Sequence, residues 1–176
     1  GNVDAMLDPD QLTAYGAQRS CALERVPGIA DIVYDQYNIQ PGDIMLITSN
    51  SGRNSMPVEM AMRAQKEGSY TIALTNVAQS SAQTSRHPSG KRLFECADIV
   101  IDTNVPSADA CMDIDGIKTG PCSSIVTMFL VNTIATEAMK RVVSHGKRPY
   151  VFQSQNVDGF SNDDIYEHFK GRIKHF

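Results

Sequence analysis

The stretch that decides the fold is DIMLITSNSGRNS, at residues 43–55. Its apolar run from Ile44 to Ile47 is typical of a strand that is buried on both faces of a parallel sheet. Further along, Pro57 presets the backbone for a first helical turn, and Gly68 fits the left-handed residue that ends a helix. These residues therefore predict a strand, a serine-rich loop and a helix in succession.

The loop between this strand and helix is TSNSGRNS, which carries four hydroxyls, two amides, a glycine and an arginine. A loop that enters a helix N-terminus offers unpaired backbone N–H groups and the positive end of the helix dipole. Serine hydroxyls add donors without bulk, and Gly52 lets the backbone approach a ligand closely. These features predict a phosphate site, and the alternative is a helix cap with spare serines. The predicted phosphate- and sugar-binding residues of this loop are Thr48, Ser49, Asn50, Ser51, Gly52, Arg53 and Ser55.

The composition is that of a cytoplasmic enzyme or binding domain. A chain of 176 residues is a natural size for one domain, spanning 1–176. The net charge of −4 and the lack of a basic cluster argue against a nucleic-acid partner. The most apolar stretch, 125–143, is interrupted by charged residues, so we expect no membrane span. The cysteines at 21, 96, 111 and 122 lack metal-ligand spacing, which favours buried, reduced thiols over a metal site.

Strand and helix patterns alternate along the chain. A helix is predicted from about Pro27, with Ile29, Ile32, Val33 and Tyr37 on one face. Further strands are predicted at 70–74 and 99–101, separated by a polar connection at 77–92 and a short helix that ends near 97. A long helix follows from about 122 or 123 to 144, and a short one begins at about 163. Strands separated by helices predict a parallel α/β sheet with right-handed crossovers.

A polar loop follows the second predicted strand and holds SRHPSGK, at residues 85–91. This loop is expected to open at the ligand-binding edge of the sheet. His87 is suited to move protons near neutral pH, and the alternative is a surface histidine. Arg86 and Lys91 supply positive charge for a phosphate or an enediolate, or are simply solvated. Glu59 lies in the first turns after the serine-rich loop, where a capping role is the better interpretation than a catalytic one.

The segments DIMLITSNSGRNS and YTIALTN resemble the sugar-isomerase (SIS) domain, a sugar-phosphate-binding fold. The segments TSRHPSGKRLFECADIVID and QSQNVDG resemble a bacterial branch of that family often labelled phosphoheptose isomerase. The resemblance implies a flavodoxin-like, three-layer, doubly wound parallel sheet. Three strands make a thin sheet of that type, and the sequence begins without methionine, so we expect that the N-terminal helix–strand unit of the family is lacking.

The resemblance also implies a second functional segment, DIDGIKTGPCSS at residues 113–124. In several SIS enzymes the corresponding stretch bears an acidic base followed by small hydroxyl residues at a helix start. Carried over, Asp113 or Asp115 is the candidate base that acts with His87. Ser123 and Ser124 are candidate ligand contacts or N-caps.

Together these features predict a domain that binds a phosphorylated sugar and catalyses aldose–ketose isomerisation by proton transfer, without a metal or other cofactor. The alternatives are a non-catalytic sugar-phosphate sensor and an amino-sugar-phosphate etherase or lyase. The helix at 123–144 is apolar on almost every side, which predicts a homodimer or higher homo-oligomer.

Overall fold

The computed structural model describes residues 2–175. They form two compact units, one of Leu7–Leu130 and one of the described parts of Gly1–Met6 and Val131–Phe176. A single domain at 1–176 stays a prediction. The helices are α1 (Ala17–Leu23), α2 (Ile29–Tyr34), α3 (Ser55–Lys66), α4 (Val77–Ser81), α5 (Ser123–Ser144) and α6 (Asp163–His168). The strands are β1 (Ile44–Thr48), β2 (Tyr70–Thr75), β3 (Ile99–Asp102), β4 (Met112–Ile114) and β5 (Ile117–Thr119).

The first unit is built on a parallel sheet of three strands in the order β1-β2-β3, flanked by helices. Ile47 pairs with Ala73, and Ala73 pairs with Val100, so all three strands run in register in the same direction. The carboxyl ends of the strands therefore meet at one edge of the sheet, where the loops after β1 and β2 begin. The predicted α/β class and the parallel direction of the strands are confirmed.

Burial in this sheet is concentrated in the central strand. Thr71, Ala73 and Leu74 of β2 are fully or almost fully buried. In β1 only Ile47 is buried, and Ile44 is 66% exposed. The prediction that β1 is buried on both faces is therefore wrong, because β1 is an edge strand of the sheet within the described residues.

Helix α3 covers the sheet and packs against α2 on its other side. Its apolar residues Val58, Ala61 and Ala64 are fully buried and follow one another at intervals of three residues, which places them on one helical face. The matching face of α2 is formed by Ala30, Val33 and Tyr34. The prediction placed Ile32 on that face, but Ile32 is 65% exposed because it lies on the opposite side of this short helix.

The connection after β2 is more structured than the sequence pattern indicated. Its first residues form α4, and the Asn76 side chain caps this helix by accepting a hydrogen bond from the N–H of Gln79. The predicted short helix before β3 is a 3₁₀ turn, Leu93–Glu95.

An antiparallel hairpin, β4–β5, occupies part of the segment that was predicted to be a loop. Asp115 and Gly116 have positive φ angles of 49° and 85°, as a two-residue hairpin turn requires. The signal was present in the sequence as Asp-Gly between two isoleucines.

Helix α5 has its predicted bounds, and none of its residues is buried. Among residues 2–175, no helix combines the length and apolarity needed to cross a membrane. All four cysteines are free thiols. Burial is confirmed for Cys96 but is wrong for Cys21 and Cys111, which are exposed.

The second unit contains α6, which begins at the predicted residue. The Asn162 side chain holds the preceding segment by bonding both the N–H and the carbonyl of Gln153, at 2.9 and 3.0 Å. Ile165 and Ile173 are the buried apolar residues of this end of the chain.

Candidate phosphate site

The loop from Thr48 to Ser55 is anchored by its backbone to the neighbouring strand. The N–H of Ser49 donates to the carbonyl of Leu74, and the carbonyl of Asn50 accepts from the N–H of Asn76. These bonds place the loop at the carboxyl ends of β1 and β2, which is where open α/β sheets bind ligands. Thr48 is the exposed last residue of β1.

Gly52 is buried and is needed for packing within the protein. Its φ is +57°, and a Cβ at this position would lie 2.8 Å from Thr75 Oγ1 and 3.2 Å from Ser80 Oγ. Its carbonyl accepts from the N–H of Leu93 at 2.7 Å. The close approach that Gly52 permits is therefore to β2 and α4, whereas the sequence analysis expected an approach to a ligand.

The other side of the loop keeps a run of backbone donors. Within the described residues, no hydrogen bond is made by the N–H groups of Asn50, Ser51, Arg53, Asn54 and Ser55. Asn54 is the N-cap residue of α3, but its side chain does not bond the helix N-terminus. Free N–H groups at the start of a twelve-residue helix are the donors that bind a phosphate.

The serines of the loop have different roles. The Ser49 hydroxyl accepts from the N–H of Gly52 at 3.2 Å, which holds the loop in its turn. The Ser55 hydroxyl is fully buried and donates to the carbonyl of Arg25 at 3.1 Å. The hydroxyl of Ser51 makes no hydrogen bond within residues 2–175. Of these three serines, Ser51 therefore has the whole hydroxyl available for a ligand, and Ser49 has its hydroxyl proton.

Three arginines surround the free donors. Arg86 Nη1 donates to the Asn54 side-chain oxygen at 3.0 Å, and the Arg86 backbone N–H donates to the carbonyl of Arg53 at 2.8 Å. Partial burial and the charges of Arg53 and Arg25 lower the pKa of Arg86, and nearby Glu24 only partly offsets this. None of the three guanidinium groups forms an ion pair with a carboxylate among the described residues. The site therefore carries positive charge that an anion would neutralise.

Arg53 also joins the two loops of the site. Its guanidinium donates to the carbonyl of Thr84 at 2.8 Å, to Thr84 Oγ1 at 3.2 Å and to Gln83 Oε1 at 3.1 Å. These bonds fix residues 83–86 beside the first loop and bring the predicted pair Arg86 and His87 to the same edge of the sheet.

His87 is held on both ring nitrogens. Its Nε2 lies 3.3 Å from Glu59 Oε1, and the two side chains are 12% and 16% exposed. Its Nδ1 lies 2.7 Å from Ser89 Oγ and accepts from the N–H of Ser89 at 3.2 Å. The other Glu59 oxygen accepts from the N–H of Gly28 at 2.8 Å, just before α2. Glu59 thus bonds the start of α2 and lies within ion-pair distance of a histidine, whereas a capping role after the loop was expected.

The second predicted segment is arranged differently. Asp109, which the sequence analysis missed, accepts from the N–H groups of Cys122 and Ser123 and from the Ser123 hydroxyl, at 2.9, 2.7 and 2.6 Å. Burial acts to raise the pKa of Asp109, but these hydrogen bonds outweigh it and the pKa is lowered. Ser123 therefore bonds Asp109 at the start of α5, and Ser124 is exposed beside it. No local spacing signals Asp109, because it precedes α5 by a whole hairpin.

The candidate bases Asp113 and Asp115 lie in the β4–β5 hairpin. Asp113 is 2.7 Å from Lys118 Nζ and accepts from the N–H of Gly116 at 2.7 Å. The Lys118 hydrogen bond, followed by that from Gly116, lowers the pKa of Asp113. A lowered pKa weakens a carboxylate as a base near neutral pH. The catalytic role of either aspartate stays a prediction, and His87 bonds neither of them.

No group of three or more potential metal-ligating side chains occurs among residues 2–175.

Comparison with known proteins identifies the family of this chain. A UPF0309 protein of Halalkalibacterium halodurans is 37% identical over 171 residues, covering 95% of this chain and 71% of that protein. The chain belongs to the UPF0309 family. UPF0309 proteins of Geobacillus thermodenitrificans and Caldanaerobacter subterraneus are 36% and 33% identical, covering 90% and 98% of this chain. The chain spans 65% and 73% of the length of these two relatives, or about two thirds.

The SIS domain profile matches residues 2–76, which contain β1, the serine-rich loop, α3 and β2. UPF0309 is thus a family of SIS-domain proteins, and the predicted resemblance is confirmed. The match includes the loop with the free donors but ends before His87.

Proposed function

We propose that this UPF0309 chain binds a phosphorylated sugar, with the phosphate seated on the backbone donors of residues 50–55. The observation that carries the proposal is the cluster of Arg25, Arg53 and Arg86 beside those donors, none of which forms an ion pair with a carboxylate among the described residues. Arginine and helix N-terminal N–H groups together are the typical surroundings of a protein-bound phosphate. The SIS-domain match supports the same ligand class.

The reaction we propose is aldose–ketose isomerisation of that sugar phosphate. It needs a base for the proton next to the carbonyl, a group that moves protons between two oxygens, and charge to stabilise the enediolate. His87 lies next to Arg86 in sequence, and its loop is bonded to Arg53, so an acid–base group and positive charge share one edge of the sheet. A non-catalytic sensor would use the same binding site without proton transfer.

The binding test is a thermal-shift comparison of matched ligands on the purified chain. Ribose 5-phosphate, glucose 6-phosphate and sedoheptulose 7-phosphate are each compared with the same sugar lacking phosphate. At a hundredfold excess over Kd, a ligand of the folded state adds about 2.7 kcal/mol to the free energy of unfolding. We expect a Tm increase only with phosphorylated members, and equal Tm values for every pair would contradict the proposal.

The catalytic test is proton NMR of a bound sugar phosphate in D₂O. An isomerase exchanges the proton on the carbon next to the carbonyl for deuterium and forms the other sugar. Binding without exchange would identify a sensor and contradict the isomerase assignment.

We also propose that the chain assembles as a homodimer or higher homo-oligomer through α5. Ile125, Met128 and Phe129 on this helix are 64%, 60% and 69% exposed, and Val143 near its end is 59% exposed. Large apolar residues concentrated on one element are typical of an interaction surface. Light scattering at micromolar concentration tests the proposal, and a monodisperse monomer would contradict it.

A further inference from the structure

Glu59 of α3 and two residues of the loop at 85–91, His87 and Ser89, form a series of three polar side chains that extends from the protein interior to the surface. Glu59 is at the inner end, His87 is in the middle and Ser89 is at the outer end. Only Ser89 is exposed. The direction of each hydrogen bond in this series follows from the backbone groups that contact it.

The backbone fixes the tautomer of the neutral His87 ring. Because the N–H of Ser89 donates to Nδ1, this nitrogen carries a lone pair and the ring proton is on Nε2. The nitrogen that carries the proton, Nε2, lies 3.3 Å from Glu59 Oε1, which is an ion-pair distance when the ring is charged. When the ring gains its second proton, at Nδ1, the resulting imidazolium stays paired with this carboxylate through Nε2.

The backbone also orients the Ser89 hydroxyl. Its oxygen accepts from the N–H of Lys91 at 3.2 Å, and its proton points to His87 Nδ1 at 2.7 Å. The rest of the loop is held by the Ser85 hydroxyl, which accepts from the N–H of His87 and donates to the carbonyl of Lys91. Ser89 Oγ lies at Nδ1 of His87 and Glu59 lies at Nε2, so neither ring nitrogen is open to a ligand. Of these three side chains, the exposed hydroxyl of Ser89 is therefore the group that can contact a ligand.

We infer that Ser89, His87 and Glu59 form a proton relay in which Ser89 is the catalytic residue that touches the sugar and Glu59 is a positioning residue. The inference rests on the proposed function and specifies the group that moves protons between the two sugar oxygens. The sugar hydroxyl gives its proton to Ser89 Oγ while the Ser89 proton passes to His87 Nδ1, forming an imidazolium paired with Glu59. The return transfer from Nδ1 through Ser89 protonates the oxygen derived from the carbonyl, and the relay ends as it began. A separate base takes the C–H proton and delivers it to the neighbouring carbon, so that this base also ends as it began.

The relay predicts that one substitution slows isomerisation but not deuterium exchange, and both are followed in one NMR experiment. The Ser89→Ala variant retains the base for the C–H proton but lacks the oxygen-to-oxygen transfer. We therefore expect deuterium exchange to continue while kcat for isomerisation falls about a hundredfold, which is the lower range for acid–base catalysis. KM and the Tm increase caused by inorganic phosphate should stay within twofold of the original values, because Ser89 makes no hydrogen bond with residues 48–55 in the described structure.

Two further variants distinguish a relay from a structural role. Ser89→Thr keeps the hydroxyl and is expected to retain kcat within about fivefold. Glu59→Gln keeps an acceptor for Nε2–H but removes the charge, and should lower kcat about tenfold with KM unchanged. Equal losses of kcat in Ser89→Ala and Ser89→Thr would overturn the relay, as would full kcat in Ser89→Ala.

The failure of the relay and the failure of the proposed function give different results. If no sugar phosphate raises the Tm of the original chain, the binding function itself is wrong. If the original chain isomerises a sugar phosphate and Ser89→Ala does so equally fast, the function stands and the relay is overturned. If a sugar phosphate binds but neither exchanges deuterium nor isomerises, binding stands and the relay is again overturned.

Discussion

Two loop-to-helix junctions in this chain look alike in sequence and differ in what they hold. The first leads into α3 and keeps five backbone N–H groups without partners in the described structure, beside three arginines. The second leads into α5, and there the Asp109 carboxylate already occupies the helix N-terminus. A helix N-terminus binds an external anion only when the protein has not supplied one of its own. The difference assigns the candidate ligand site to the first junction.

The largest expected effect concerns the positive charge at the first junction. Arg86→Gln removes a guanidinium beside the free donors, and a hydrogen bond to a charged group contributes about 1.5–3 kcal/mol. We expect the affinity for a sugar phosphate to fall about ten- to a hundredfold in isothermal titration calorimetry. The matched control is Arg19→Gln, which changes the net charge equally at an exposed ion pair with Asp10. Equal affinity losses in both variants would show a general charge effect.

A somewhat smaller effect is expected for the shape of the first loop. Gly52→Ala places a Cβ 2.8 Å from Thr75 Oγ1 at a positive φ. Backbone strain of this kind costs about 1–3 kcal/mol, so the urea midpoint should fall clearly. Gly116→Ala also has a positive φ, of 85°, but no described atom lies within 4 Å of the added Cβ. A Gly52→Ala loss no greater than the Gly116→Ala loss would contradict a packing role.

A substitution at the second junction should lower the stability of the protein and leave its affinity for a ligand unchanged. Asp109→Asn weakens the cap of α5, which we expect to cost about 1 kcal/mol near pH 7. Because the folded-state pKa of Asp109 is lowered, its contribution is present above the unfolded pKa of about 3.9 and is lost as the pH falls through the folded value. The Tm difference between the two proteins should therefore shrink below about pH 4. A difference that grows with acidification would contradict this assignment.

The smallest effect separates two serines of the same loop. Ser51→Ala removes a hydroxyl that is unpaired within the described residues, and we expect sugar-phosphate affinity to fall several-fold, as for a hydrogen bond of about 1 kcal/mol. Ser55→Ala removes a buried hydrogen bond to the carbonyl of Arg25, so it should lower stability with little change in affinity. A larger loss of affinity in Ser55→Ala than in Ser51→Ala would reverse these roles.

The secondary structure around the candidate site was largely predicted from the sequence, but the hydrogen-bond partners of its polar residues were not. The bounds of α5 and the first residues of all three parallel strands were predicted, because apolar periodicity and flanking glycine or proline act locally. Helix α4 and the β4–β5 hairpin were not predicted, because the polar composition of both segments indicated loops. The hairpin carried a recognisable Asp-Gly signal, whereas no local signal marked Asp109 as the cap of α5.

Local sequence patterns were enough to predict a strand, a polar loop and a helix at residues 43–68 and to place the chain in an SIS-domain family. Tertiary contacts determine which polar groups of that loop remain available for a ligand. Arg25 and Arg86 approach the loop from segments about 30 residues away in either direction. Ser55 and Gly52 make contacts inside the protein and are therefore not available to a ligand. The physical reason is that secondary structure follows from short-range backbone preferences, whereas hydrogen-bond satisfaction and charge balance depend on groups that meet only in the folded chain.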